Sequence, residues 1–424
     1  MITKEQDIPN YKKLFVAIWM ILVVSSDIKV TINPYIHWIA TFMLMGPVWI
    51  SALNKRVTVH LIFLLAPSFL LISILISGTN DFPYAVFQTT KLFIILVCTL
   101  GFFLFHDRYI KIAFDSMKVA SYINTILLMI GAVFLPFAAS KMAPNRWGTV
   151  LNYPGSLCKI GLFFVVYSVY VLLKKKGGRS SSSLLLLSSL LLILFDGSRT
   201  AMLATFGAIV FVLIVILVEL KVPIYYYVKI VSKFLILPLV LVLFVSMAFS
   251  NKIYNLFSAY ASRVVEILNN LKANGIIKGL ESSDPTRFQM INDAIKEISR
   301  HPIVGTGIGT TTTETIVGPM VVHNTYLQVW ADMGILGIIS YLVLTLGWVI
   351  FLPFFYKKFT LVESIETKAV LINSVFMLIY LAFNGLFHPL STEWSEWIIF
   401  IISYAVFFRF LLGKSDWDRA GVQS

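Results

Sequence analysis

Apolar residues run in long blocks along the chain, separated by short polar breaks, and the length of those blocks decides what they form. A helix rises 1.5 Å per residue and the hydrocarbon layer of a bilayer is about 30 Å thick, so blocks of about 18 or more apolar residues predict membrane-spanning helices. They lie near 14–31, 35–53, 58–77, 84–105, 118–139, 156–173, 181–195, 200–219, 230–250, 326–356, 367–388 and 396–413, about twelve spans, the seventh short and the tenth long. Between 251 and 325 the pattern changes. Leu256, Phe257, Tyr260, Val264, Ile267, Leu268 and Leu271 recur at helical spacing over 253–272, which predicts an amphipathic helix lying along the membrane surface. Phe288, Ile291, Ile295 and Ile298 predict a second one over Pro285 to Arg300, with Asp284 as N-cap and proline in the first helical position. His301-Pro302 stops that helix, and Gly305, Gly307 and Gly309 read as a flexible turn before the next apolar block. The chain divides into nine spans over 1–250, a long loop over 251–325, and three spans with a polar tail over 326–424.

Composition fixes the class. Of 424 residues 58% are hydrophobic and 13% charged, too little polar surface for a soluble protein of this length. The expected fold is an all-α polytopic membrane protein. The first apolar block leads straight into further spans, so no cleavable signal peptide is expected. Lys12 and Lys13, Lys55 and Arg56, Arg108 and Lys111, Lys174 to Lys176, Lys221 and Lys229, Lys357 and Lys358, and Lys414 all fall on one side, which places both termini in the cytoplasm and the long loop outside. The net charge of +13 follows largely from that asymmetry and implies no nucleic-acid partner. Cys98 and Cys158 fall inside spans and indicate neither a disulfide framework nor a metal site.

Three arginines stand out on the outer side, where basic residues are scarce. Arg146 and Gly148 form an Arg-x-Gly turn ahead of Asn152-x-Pro154, Arg199 opens the eighth span within DGSRT, and Arg287 lies in the first turn of its helix. Each has a plain reading: a loop anchored by Trp147, a snorkelling side chain, a solvated surface residue. Each also has a chemical one, because a guanidinium at a helix N-terminus presents a planar fork of donors to phosphate. Asp196 either caps a helix or orients Arg199, and Lys159 adds to the positive patch or snorkels. Lys91 lies well inside the fourth span, where it snorkels, pairs with a carboxylate or faces a polar cavity, the last being favoured. The last outer loop supplies His388, Glu393 and Glu396. HExxH, GxSxG and Cys/His clusters are missing, and GTGIG is no complete nucleotide fingerprint, so no metal or cofactor is expected. Arginines beside a histidine at a membrane surface suit a lipid diphosphate. The guanidinium groups neutralise charge on a departing pyrophosphate, and a neutral imidazole takes the proton of an attacking hydroxyl.

The ordered set His323-Asn324-x-x-Leu327-x4-Asp332-x-Gly334-x-x-Gly337 resembles the signature of the O-antigen ligase and polymerase superfamily. So do the preceding His301-Pro302-Ile303-Val304-Gly305-Thr306-Gly307, Ser198-Arg199 and Arg146-x-Gly148, although Asp332 stands where the family often has glutamate. The resemblance implies a C-type glycosyltransferase-like fold and an inverting, metal-independent transfer at the periplasmic face of a bacterial inner membrane. Its implied partners are an undecaprenyl-diphosphate-linked oligosaccharide, an acceptor glycolipid and a chain-length regulator. Carried over, Arg199 and Arg287 bind the diphosphate, Arg146 and Asn324 line the substrate, and His323 activates the acceptor hydroxyl. A polymerase extends another lipid-linked repeat, a ligase caps lipid A core, and a flippase of lipid-linked sugar is a third reading. The His-Asn-Thr-Tyr-Leu-Gln wording and the arginine-bearing third loop incline to the polymerase. The charge asymmetry makes a direct prediction: a cysteine at Thr312 reacts with an impermeant thiol reagent in whole spheroplasts and one at Gly178 does not, the reverse pattern overturning the orientation.

Overall fold

The computed structural model describes residues 10–25, 27, 33, 36–41, 43, 61–105, 108–134, 146–175, 180–220, 284–315 and 318–412. Among these, six helices are long and apolar enough to cross a membrane: Phe82–Leu104, Leu157–Lys174, Thr200–Glu219, Thr325–Phe359, Ile365–Asn384 and Trp394–Leu411. Shorter apolar helices, Leu65–Ile76 and Ser180–Asp196, cover the expected third and seventh spans, and Asn10–Val24 and Arg108–Phe134 cover much of the first and fifth. Most of the block at 35–53, the block at 230–250 and the amphipathic helix at 253–272 lie outside the described residues.

For reference below, α1 is Ser180–Asp196, preceded by the innermost helix, Leu157–Lys174, whose residues from Leu157 to Val171 are all buried. After α1 come α2 (Arg199–Leu220), α3 (Pro285–Arg300), the strands β1 (Thr312–Thr315) and β2 (Gly318–Val321), then α4 (Thr325–Leu346), α5 (Ile365–Asn384) and α6 (Trp394–Leu411). The innermost helix packs against α1, α2 and α5. At one end of the bundle Glu219 ties three of these helices together, accepting from Lys174 (2.7 Å), Lys368 (3.2 Å) and the Tyr170 hydroxyl (2.9 Å).

At the other end the long loop returns. Helix α3 has the expected bounds and start: the Asp284 side chain accepts from the Arg287 N–H, and Pro285 sits in the first turn. Its apolar face, Met290 and Ala294, packs on Val322, Met320 and Leu327. The antiparallel hairpin β1–β2 is a departure from an all-α chain, with Thr312 opposite Val321. Its outer strand is tied to α3 by Thr313 donating to Asp293 (2.9 Å).

The expected long tenth span is not straight. Helix α4 breaks at Gly334, which adopts φ 68° and ψ −163°. Tyr326 and Tyr341 consequently meet edge to face with ring centroids 5.4 Å apart, whereas a straight helix would separate their backbones by about 22 Å along its axis. The break frees backbone groups, and the glycine-rich loop takes them up. Thr306 N–H donates to the Ala331 carbonyl (3.0 Å), Gly307 N–H to the Asp332 carbonyl (2.8 Å), and Ile335 N–H to the Ile303 carbonyl (3.1 Å). Broken backbone inside a membrane protein survives only where protein supplies its partners, and this loop does so. The approach is too close for a side chain, since a Cβ on Gly334 would land on the Ile303 carbonyl and one on Gly305 on the Asp332 carbonyl. Gly334→Ala should therefore cost more than about 2 kcal/mol through strain and collision, while Gly207→Ala, with nothing within 4 Å of the added carbon, should be neutral or stabilising by up to about 1 kcal/mol. Thermal unfolding of the detergent-solubilised variants, read by monodisperse recovery, checks the contrast.

A candidate active site at one end of the bundle

Helix α4 starts with Asn324, whose side-chain oxygen accepts from the Leu327 N–H at 3.1 Å. Capping is thus the work of Asn324, and the neighbouring histidine is free of it. The His323 ring, half-buried, places Nδ1 3.0 Å from the Val321 carbonyl. A carbonyl only accepts, so Nδ1 carries the proton and the neutral ring keeps its lone pair on Nε2.

The loop before it is pinned, not flexible. Gly305, Gly307 and Gly309 all have positive φ, at 78°, 107° and 76°. They let the chain wrap a single carboxylate, Asp332, which is fully buried. Asp332 accepts from Gly309 N–H (2.8 Å), Thr311 N–H (3.0 Å), Thr311 Oγ1 (2.5 Å) and Gln328 Nε2 (3.2 Å). Gln328 in turn accepts from Leu390 N–H at 2.6 Å, and Thr325 Oγ1 donates to the His388 carbonyl at 2.6 Å. The last loop is so fastened to the start of α4, beside His323.

A second fully buried carboxylate, Asp196, organises the arginine-bearing loop. Its oxygens accept from Arg146 Nη2 (2.8 Å), Gly155 N–H (2.6 Å) and Cys158 N–H (2.9 Å), while Arg146 Nε donates to its carbonyl (2.9 Å). Asp196 thus caps the start of the innermost helix and fixes Arg146, whose side chain stays 35% exposed on its other edge. Helix α2 opens three residues further on, with the Ser198 hydroxyl accepting from Ala201 N–H at 3.3 Å and Arg199 as its first residue.

Lysines inside the apolar layer have found carboxylates. Lys91 lies 3.2 Å from Glu393 and 5.3 Å from the Trp38 ring centre, so a carboxylate, and not the favoured polar cavity, resolves its charge. Lys159 lies 2.6 Å from Glu396. Both pairings were open to charge arithmetic, since two lysines within spans face two glutamates in the last loop, but helix order alone does not say which meet. Arg287 differs from these cations: its Asp284 partner is 3.3 Å away and both side chains are 51% exposed. Exposed pairs of that kind contribute about 0–1 kcal/mol, so this guanidinium is cheaply released to another anion.

His388 stands among these groups, its charge sensitive to Lys159, Glu396, His323 and Arg287. Burial first, and then the Lys159 ammonium, push its pKa down from the ordinary 6.5 to about 4, against the opposing pull of Glu396.

Helices of this length and apolarity define a multi-pass membrane protein. Residues 184–342 match the O-antigen ligase family, which supports a place in the O-antigen ligase and polymerase superfamily. The matched segment includes Arg199, Arg287, His323, Asn324 and Asp332 and leaves Arg146 and His388 outside it. No curated protein matches the chain.

The depressed His388 pKa has a thermodynamic sign. The folded state binds this proton less readily than the unfolded chain, so stability is fully present above about pH 6.5 and is lost as pH falls from there toward about 4. His388→Gln should show a smaller drop in Tm than the unsubstituted protein between pH 7 and pH 4.5; equal drops would show that this ring is not the titrating group.

Proposed function

We propose that the protein is a membrane glycosyltransferase that moves a glycan from an undecaprenyl-diphosphate carrier to an acceptor hydroxyl, most simply as a polymerase of lipid-linked repeats. The observation that carries this reading is the position of His323 Nδ1, 3.0 Å from the Val321 carbonyl. With Nδ1–H spent on the Val321 carbonyl and capping left to Asn324, Nε2 is a ready proton acceptor at the mouth of the site. In the proposed reaction Nε2 takes the proton of the acceptor hydroxyl as its oxygen attacks the anomeric carbon from the face opposite the diphosphate, and configuration inverts. The bond to the diphosphate breaks, and its charge is received by Arg287, released from its weak surface pair, and by Arg199 at the start of α2. Arg146 contributes through its exposed edge, its other side being held by Asp196, and the free amide of Asn324 lines the substrate. No metal or cofactor has a part in this scheme.

In the membrane we place the site on the periplasmic face of a bacterial inner membrane and both termini in the cytoplasm, which the distribution of lysine and arginine supports. The fold is of the C-type glycosyltransferase kind on this reading, and a chain-length regulator is a natural partner for a polymerase. A ligase capping lipid A core is the second reading, favoured by the description of the matched family as O-antigen ligase. Supplying the purified protein with lipid-linked repeats, with and without lipid A core, separates the two: a ladder marks a polymerase, a capped core a ligase, and neither product removes the proposal.

In that assay His323→Ala should lose product by roughly 10²–10⁴-fold while still binding the donor, and Arg287→Lys should lose about 2–4 kcal/mol of transition-state stabilisation because the bidentate fork is gone. If His388→Ala is inactive and His323→Ala active, the base is the other imidazole.

A further inference from the structure

A cavity of about 40 Å³ lies under the last loop, where the first turns of the innermost helix, α4 and α6 meet the end of α5. Its polar end is the ion pair Lys159–Glu396, N to O 2.6 Å. Its apolar walls include Leu381, Trp397 and Phe400. Trp397 is held in place by its indole N–H donating to the Ser391 carbonyl at 2.7 Å. The Lys159 side chain is 8% exposed and that of Glu396 31%, so the glutamate is the more accessible partner. Two apolar residues could have filled this place with no loss of stability, because desolvating an ion pair cancels much of its attraction. A charged pair lining a cavity is therefore better explained by what enters it than by packing.

Size, charge and position narrow the occupant. A water-sized guest needs about 10–15 Å³ on this measure, so the cavity admits about three non-hydrogen atoms, the edge of a ring and not a whole sugar. The single ammonium is already matched by the single carboxylate, so an acidic substituent would bring an unbalanced negative charge beside Glu396. A neutral edge carrying a donor and an acceptor on adjacent atoms suits the pair, and aliphatic C–H groups suit the walls. The cavity is also beside the candidate base: Thr325, which lines it, is two residues from His323.

We propose that this cavity is a sugar subsite that holds two adjacent hydroxyls of a neutral pyranose, one donating to Glu396 and its neighbour accepting from Lys159. The proposal rests on the glycosyltransferase reading for its substrate but not for its chemistry. The pyranose belongs to the donor glycan or to the acceptor, and the same two residues would serve either. Binding there sets which hydroxyl faces His323, so Lys159 and Glu396 determine sugar specificity and linkage and take no part in the transfer itself.

The test uses the full chain in nanodiscs and two readouts. In the first, saturation-transfer NMR is run with methyl α-glucopyranoside, methyl α-galactopyranoside and methyl α-mannopyranoside, and with methyl glucuronide as the acidic control. At least one neutral glycoside should receive saturation and the glucuronide should not. The signal should fall several-fold in Glu396→Gln and in Leu381→Phe, which fills the cavity without touching the ion pair, and should persist in Arg287→Lys. Absence of saturation on all three neutral sugars, or an unchanged signal in a well-folded Leu381→Phe, overturns the subsite. In the second, KM is measured with lipid-linked repeats: a several-fold rise for the donor alone or for the acceptor alone in Leu381→Phe identifies which sugar enters. Product formation with both KM values unchanged in both variants refutes the subsite and leaves the glycosyltransferase reading intact. Pair-dependent sugar binding with no product from the unsubstituted protein does the opposite.

Discussion

The geometry around the candidate base depends on one buried carboxylate. An ionised side chain without partners is not tolerated in a protein interior, and Asp332 has four donors drawn from the glycine-rich loop and from its own helix. Those donors do more than satisfy the charge. Thr311, held by Asp332 through its N–H and its hydroxyl, accepts through its carbonyl from Val322 N–H at 3.3 Å, one residue before His323. Gln328, held on the other side, fastens Leu390 and with it the last loop. The imidazole, the loop that precedes it and the loop that faces it are therefore located relative to a single group, and the bend at Gly334 lets the loop carrying Thr311 come within its reach.

The same device recurs at the other arginine-bearing loop. Asp196, also fully buried, gathers a guanidinium and two backbone N–H groups from the start of the neighbouring helix. In both places a short side chain accepts from a turn that contains a glycine of positive φ, Gly309 in one and Gly155 in the other. The scaffold is apolar and closely packed, but the site on it is assembled by electrostatics.

Periodicity made the helices legible. Every expected span that falls within the described residues coincides with a helix, and Asp284-Pro285 marked the start of α3 to the residue. What periodicity could not show was the fold-back in α4. Gly334 sits in a largely apolar run, and its positive φ goes with close packing against a loop some thirty positions earlier in the chain. For the same reason the glycines from 305 to 309 read as slack: the residue that holds them taut, Asp332, is distant in sequence. Motif spacing brought His323, Arg287 and Arg199 forward, but it could not reveal that Arg146, Lys159 and Lys91 come already matched with carboxylates. Pairings between helices are set by packing, which leaves no mark at fixed spacing.

Those pre-matched cations bear on how a substrate arrives. Three ammonium or guanidinium groups, each cancelled by a neighbouring carboxylate, project little potential beyond a few ångströms. Among the described residues these three pairs therefore add little to the long-range steering that speeds capture of soluble anions. A ligand tethered to the bilayer has no need of it: lateral diffusion in two dimensions delivers it at the right depth. For these three groups, then, charge acts at contact distance and not on the approach.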